Sequence, residues 1–232
     1  MFGVRLPRVV IGDGAIEAIK WLALVLMTLD HINKYLLHDA SPVLFALGRV
    51  VMPLFGFVLA FNLARPGALA NGVYPRVMCR LAIVGAVTTP VFTGLGGLLF
   101  GWWPLNILWM LLTATAAIYF LDKGGRWNML AAVVTILIGG SSVEFWWPGV
   151  GICVSAWYYV KRPSLGALAI WVGSTAALAL INQDFWACAA FAFIIAASRL
   201  GPMAIPRMRR TFYVYYPAHL TVICALGFLL RR

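Results

Sequence analysis

Apolar runs separated by short breaks fill almost the whole chain. A helix of about 20 apolar residues is long enough to cross a bilayer, and turn-forming pairs such as Pro66-Gly67 and Gly124-Gly125 separate the runs. The pattern predicts nine helical segments, of which the short fifth and eighth are expected to be tilted, re-entrant or broken. Their approximate ranges are 15–37, 42–63, 77–96, 104–121, 127–141, 143–160, 164–182, 185–199 and 212–230.

The composition supports a membrane protein. Hydrophobic residues make up 63% of the 232 positions and charged residues only 11%, whereas a soluble domain carries about a quarter charged residues. The net charge of +11 does not indicate nucleic-acid binding, because lysine and arginine lie between the apolar segments. We therefore predict an all-α, polytopic integral membrane protein with one helical bundle and a single domain over 1–232, in which residues 1–14 form a cytoplasmic N-terminal segment.

The basic residues predict an orientation. If the N-terminus is cytoplasmic, 14 of the 18 lysines and arginines fall on the cytoplasmic side, as the positive-inside rule requires. Lys34 and the pair Arg231 and Arg232 then lie outside, and Arg49 lies within the second segment. The C-terminal pair is the exception to the positive-inside rule in this orientation.

Several polar residues interrupt the apolar segments, and charge at membrane depth usually marks a functional site. In the predicted orientation, Asp30 and His31 lie near the outer end of the first segment, Arg49 a few turns below the outer surface, and Asn106 near the same level. His219 lies at about mid-depth in the last segment. We expect Asp30, His31, Arg49 and Asn106 to converge in the outer half of the membrane.

Each of these residues allows two interpretations. His31 can be a general base tuned by Asp30 and Arg49, or an interfacial side chain beside an Asp30–Lys34 ion pair. Arg49 can serve a ligand or form a structural bridge with Asp30. Asn106 and His219 can be functional or can make interhelical hydrogen bonds. The spacing of His31, His219 and Asp30 gives no support for a metal site, and none is expected.

Four segments, IKWLALVLMTLDHINKYL, GRVVMPLFGFVLAFNLAR, NILWMLL and FYVYYPAHL, match in order the pattern of the TraX family. That family comprises bacterial inner-membrane proteins of conjugative plasmids, and its best-known member N-acetylates the pilin subunit from acetyl-CoA. It is also distantly similar to membrane-bound acyltransferases that carry a functional histidine near the first helix. Residues at matching motif positions are Asp30, His31, Arg49, Pro53, Asn106, Tyr215 and His219.

The resemblance implies a multi-pass acetyltransferase of the inner membrane that uses acetyl-CoA as donor substrate and a pilin subunit or another acyl acceptor. His31 is then the general base, Asp30 orients or charge-balances it, and Arg49 or Asn106 steadies the oxyanion. The alternatives are a non-enzymatic factor of pilus biogenesis and a proton-coupled transporter. The arginines expected to bind the phosphates of CoA, which positive-inside topology alone would also explain, are Arg76, Arg80, Arg207, Arg209 and Arg210.

Overall fold

A computed structural model of the chain describes residues 6–208 and 210–230. About three quarters of these residues are helical, and they form no strand beyond two isolated bridges. Nine helical segments follow one another within the described ranges. They are α1 Asp13–Tyr35, α2 Pro42–Leu63, α3 Val73–Gly94, α4 Ile107–Lys123, α5 126–142, α6 Trp146–Lys161, α7 Leu165–Asn182, α8 Trp186–Arg199 and α9 Thr211–Leu230.

Each predicted segment corresponds to one helical segment, so the all-α prediction is confirmed. The largest shifts are at the starts of α3, α4 and α6, which begin at Val73, Ile107 and Trp146 instead of 77, 104 and 143. The helix α4 begins later because the side chain of Asn106 caps its first turn. Four helices, α2, α3, α7 and α9, are long and apolar enough to cross a membrane. The larger number of membrane-crossing segments stays a prediction.

Several helices in the described part of the chain are irregular: α7 is interrupted at Leu178, α8 begins with the 3₁₀ turn Trp186–Ala189, and α2 and α5 depart further from α-helical geometry. The α-helical hydrogen bonding of α2 is interrupted at Val50, whose N–H bonds to Leu47 O at 3.3 Å. Pro53 cannot donate to the carbonyl of Arg49 four residues earlier, so the disruption of the helix by this proline falls beside the arginine. In α5, residues Thr135–Gly139 form a π-helical turn between two α-helical parts, which agrees with the expectation that this short segment is irregular.

The helices α2 and α6 form the dry centre of the bundle. Leu54 and Phe57 of α2, and Ile152 and Cys153 of α6, have no exposed surface. A Cβ added to Gly56 would lie 3.0 Å from the Cys153 sulfur, so the absence of a side chain at this position lets the two helices approach closely. This packing separates the two ends of the bundle.

One end of the bundle is basic. Asp13 at the start of α1 pairs with Arg65 after α2, and Asp122 near the end of α4 pairs with Lys161 at the end of α6. The start of α1 therefore lies beside the ends of α2, α4 and α6. The opposite end of the bundle, where α1 ends and α2 begins, holds the polar residues of the predicted site.

Candidate functional site

A cavity of about 300 Å³ opens at this opposite end. It is bounded by the end of α1, the first turns of α2, the end of α7 and the loops before α4 and α6. We call it the histidine cavity. Its polar lining consists of Asp30, His31, Lys34, Arg49, Glu144 and Asn182, and its aromatic lining of Tyr35, Phe92, Phe145, Trp146 and Tyr216.

Arg49 is fixed by three acceptors. Its Nη2 donates to Asp30 Oδ1 at 2.8 Å, its Nη1 to Asn182 Oδ1 at 3.3 Å, and its Nε to the carbonyl of Phe45 at 3.3 Å. The Asp30 and Arg49 side chains are only 15% and 18% exposed. Asp30 thus pairs with Arg49 across α1 and α2. The alternative Asp30–Lys34 ion pair does not form among the described residues, since the Lys34 ammonium lies over the Tyr35 ring at 5.2 Å.

Gly48 makes the Asp30–Arg49 contact sterically possible. A Cβ at this position would lie 2.0 Å from Asp30 Oδ1 and 2.3 Å from its Cγ, far inside van der Waals contact. The missing side chain of Gly48 leaves room for the carboxylate against α2. The glycine before Arg49 is therefore part of the site.

The two histidines predicted separately form a pair. His31 Nδ1 lies 2.7 Å from His219 Nε2, and the rings are stacked with centroids 5.0 Å apart and planes 5° apart. His219 Nδ1 lies 3.0 Å from the backbone carbonyl of Tyr215. This contact joins α1 to α9, and His219 is 7% exposed.

The hydrogen bonds of this pair assign its tautomers. A carbonyl oxygen only accepts, so His219 Nδ1 carries the proton and His219 Nε2 is the acceptor. His31 Nδ1 must then donate to His219, which leaves His31 Nε2 as the unprotonated, basic nitrogen of the neutral pair. In this arrangement His219, and not Asp30, orients the imidazole of His31.

Tyr215 extends the stack. Its ring lies 5.1 Å from that of His219, with 13° between the planes, and its hydroxyl hydrogen-bonds Thr28 Oγ1 at 2.8 Å. The motif residues of the last helix are thereby docked on the first helix. The stack restricts the rotation of both imidazoles.

Asn106 has a different environment. It is 1% exposed, its Oδ1 accepts from the Leu108 N–H at 3.1 Å, and its Nδ2 lies 3.2 Å from both Gly85 O and Thr89 Oγ1. It is not among the residues that line the histidine cavity. The structure therefore brings together three of the four residues expected to converge, and the amide of Asn106 is used to cap α4 and to bind α3.

The arginines expected to bind CoA that lie in the described part of the chain are toward the basic end and do not line the histidine cavity. Arg76 donates to Asn71 O at 2.8 Å, and Arg207 lies 3.4 Å from Asn62 Oδ1 and 3.8 Å from Glu17 Oε1. Arg80 belongs to α3 and Arg210 immediately precedes α9. Arg209 lies outside the described residues.

Asn182 and Glu144 are polar residues of the cavity that were not among the predicted site residues. Asn182, at the end of α7, holds Arg49, and Glu144, in the loop before α6, lines the cavity next to the aromatic wall. Both are polar residues at the ends of apolar segments that the predicted orientation puts on the same side as His31. This shared position could have identified Asn182 and Glu144 as candidate site residues. It does not show which residues they contact.

The fold and the site define a helical membrane protein with an arginine–carboxylate pair and a histidine pair beside one cavity. The sequence motifs that contribute these residues all lie within one longer match to a protein-family model. The chain belongs to the TraX family, because the family model described as TraX protein matches residues 15–227.

Two relatives, both described as Protein TraX, give the same family. One, from Escherichia coli, is 27% identical over 226 residues, which cover 92% of this chain and 88% of the relative. The other, from Escherichia coli strain K12, is 30% identical over 127 residues. That match covers 55% of this chain and 48% of the relative, so it spans about half of the relative's length. No solved structure matches the chain.

Proposed function

We propose that the protein is an acetyltransferase of the bacterial inner membrane, with its N-terminus in the cytoplasm, and that it moves an acetyl group from acetyl-CoA to a pilin subunit. Family membership supports a role in conjugation and pilin processing. The observation that carries the proposal is the basic Nε2 of His31, fixed by His219 beside a cavity that also holds Arg49.

The residues of the cavity suit acyl transfer. His31 Nε2 accepts a proton from the acceptor amine or hydroxyl as that group attacks the thioester carbonyl. A new bond forms between the acceptor and the acetyl carbon, the carbon–sulfur bond breaks, and the CoA thiolate takes up a proton. The guanidinium of Arg49 stabilises the negative charge that develops on the carbonyl oxygen.

Asp30 and His219 have supporting roles in this scheme. Asp30 balances the charge of Arg49 and fixes its direction, since it touches the guanidinium at 2.8 Å. His219 keeps His31 in the tautomer that leaves Nε2 free. Asn106 as a second oxyanion donor stays a prediction, and its present hydrogen bonds favour a structural role.

The acceptor binds from the outer side in this proposal. A mature pilin subunit would approach the cavity with its amine protonated, and this ammonium group must lose one proton to solvent before the free amine attacks and gives its second proton to His31. Glu144 forms no ion pair with another residue in the described part of the chain, unlike Asp30. Its carboxylate and the surrounding aromatic rings would attract such a cation.

The donor comes from the inner side, where Arg76, Arg80, Arg207, Arg209 and Arg210 are proposed to bind the phosphates of CoA. The dry contact between α2 and α6 lies between that side and His31. Delivery of the thioester therefore requires these helices to separate or the donor to pass beside them.

The test is acetyl transfer by purified protein in nanodiscs, with labelled acetyl-CoA and purified pilin, followed by mass spectrometry for a gain of one acetyl group. His31→Ala should abolish transfer. His38→Asn is the matched control, because His38 is an exposed histidine with a positive φ of 51° that asparagine tolerates.

Turnover that is unchanged in His31→Ala contradicts the catalytic assignment.

The histidine pair is also the observation that favours the second candidate, proton-coupled transport. That function predicts proton uptake into proteoliposomes that depends on His31 and needs no acetyl-CoA.

A further inference from the structure

A second cavity, of about 480 Å³, lies at the basic end of the bundle. It is formed by the residues around the ends of α2 and α6 and by the segment that precedes α1. We call it the cationic cavity. Its lining residues are Val9, Phe61, Ala64, Arg65, Pro66, Val160, Lys161 and Arg162.

The charge of this cavity is not balanced by the residues that the structure describes. Arg65 is paired with Asp13, and Lys161 is paired with Asp122. Arg162 has no side-chain hydrogen bond or ion pair with any residue in 6–208 or 210–230. Three cations therefore meet at one cavity while only two carboxylates pair with them.

Arg65 adds an unused donor. Its Nη2 binds Asp13, but its Nε is buried and has no hydrogen-bond partner in the described part of the chain. A buried donor without a partner costs free energy. Small rotations of the guanidinium would bring this N–H to a ligand in the cavity while Arg65 remains near Asp13.

The other walls are apolar. Val9, Phe61, Ala64 and Val160 line the cavity next to the cations, and the Arg65 guanidinium lies 5.7 Å from the centre of the Phe61 ring. Positive-inside topology requires basic residues in the loops, but it does not require them to converge on a cavity with an apolar floor. This combination fits a ligand with an anionic group and an apolar part.

We propose that the cationic cavity binds a phosphate ester, either the head group of an anionic phospholipid or the phosphate of a nucleotide. Arg65 and Arg162 supply planar, multidentate donors to the phosphate oxygens, and Lys161 adds a point charge. The site is distinct from the histidine cavity, with which it shares no lining residue. It does not depend on acetyl transfer.

Two ligands distinguish the sources of the phosphate. Phosphatidylglycerol retention is measured by native mass spectrometry after release from nanodiscs, with phosphatidylcholine as the neutral comparison. Adenosine 3′,5′-bisphosphate binding is measured by calorimetry on the same intact protein. Phosphatidylglycerol binding that Arg162→Gln weakens assigns the cavity to a lipid, and bisphosphate binding that Arg162→Gln weakens assigns it to a nucleotide.

Three variants connect binding to the cavity. Arg162→Gln should weaken the bound ligand about tenfold or more, since hydrogen bonds to charged groups contribute about 1.5–3 kcal/mol. Arg65→Lys keeps the charge but removes the Nε donor, and it should also weaken binding. Arg126→Gln should leave binding unchanged, because Arg126 lies over Trp127 and not in the cavity.

Equal binding by Arg162→Gln, Arg126→Gln and the unaltered protein overturns the proposal, as does the failure of both ligands to bind. Arg162 makes no side-chain hydrogen bond or ion pair with the described residues, so the thermal midpoint of Arg162→Gln should match that of the control. If it falls, Arg65→Lys, which preserves the pairing charge for Asp13, decides the result.

Discussion

Replacement of Gly48 by alanine tests the site at the place where its packing is tightest. The new Cβ would lie 2.0 Å from Asp30 Oδ1, 2.3 Å from its Cγ and 2.6 Å from its Cβ, whereas ordinary contact begins at 3.4 Å. Because all three atoms belong to one carboxylate side chain next to the α1 backbone, Asp30 must turn away or the two helices must separate. Either movement breaks the 2.8 Å contact between Asp30 and Arg49.

The magnitude follows from two opposing effects. Alanine in place of glycine in a helix stabilises it by about 1 kcal/mol. Breaking a largely buried ion pair costs about 3–5 kcal/mol, because the remaining charge is left without its partner. The free energy of unfolding of Gly48→Ala should therefore fall by about 2–4 kcal/mol, and acetyl transfer should fall with it because Arg49 is no longer held.

The assay is unfolding in mixed micelles together with acetyl transfer in nanodiscs. Gly173→Ala is the matched control, since Gly173 also lies in an apolar helix and a Cβ there meets nothing within 4 Å. That control should be as stable as the unaltered protein or slightly more stable. If Gly48→Ala behaves like Gly173→Ala in both assays, the Asp30–Arg49 contact is not what organises the cavity.

Three further outcomes are expected. His219→Phe keeps a ring against Tyr215 but removes the acceptor for His31, so kcat for acetyl transfer should fall, at most by the roughly hundredfold to ten-thousandfold that general-base catalysis contributes. KM for acetyl-CoA should stay constant, and an unchanged kcat contradicts the tautomer assignment. Asn106→Ala should lower the free energy of unfolding by about 0.5–2 kcal/mol through loss of the helix cap, and kcat should not change. A large loss of kcat at unchanged stability would instead support the oxyanion role. Charge reversal of Arg76 and Arg210 to glutamate should raise the KM for acetyl-CoA several-fold in steady-state kinetics, and an unchanged KM leaves these arginines with a topological role.

The helices could be predicted from the sequence because nearly every segment is an apolar run with a breaker at each end. The sequence also indicated that Asp30 and Arg49 would meet, since a guanidinium among apolar residues needs an anion. It left the Asp30–Lys34 pair equally possible, and only the helix packing at Gly48 decides between them. Local spacing cannot reveal a contact that depends on the approach of two helices.

The contact between the two histidines could not be predicted from local spacing either, because it joins residues far apart in the sequence. His31 and His219 are 188 residues apart, and α1 and α9 are brought together by packing that no local pattern encodes. Asn106 was placed at the right end of the bundle by the orientation argument, but its position just before α4 makes it a cap. Predicted depth in the membrane therefore gave the correct end for these residues without the direction of each side chain.

The hydrogen bond between His219 and Tyr215 has a consequence for proton movement. Proton conduction along a chain of imidazoles requires a last member that can release a proton onward. Here the chain ends on a peptide carbonyl, which has no proton to release. A proton that reaches His31 from the cavity cannot continue through His219 while this hydrogen bond is kept. Acyl transfer needs no such continuation, whereas proton transport through the pair would require His219 to turn away from Tyr215.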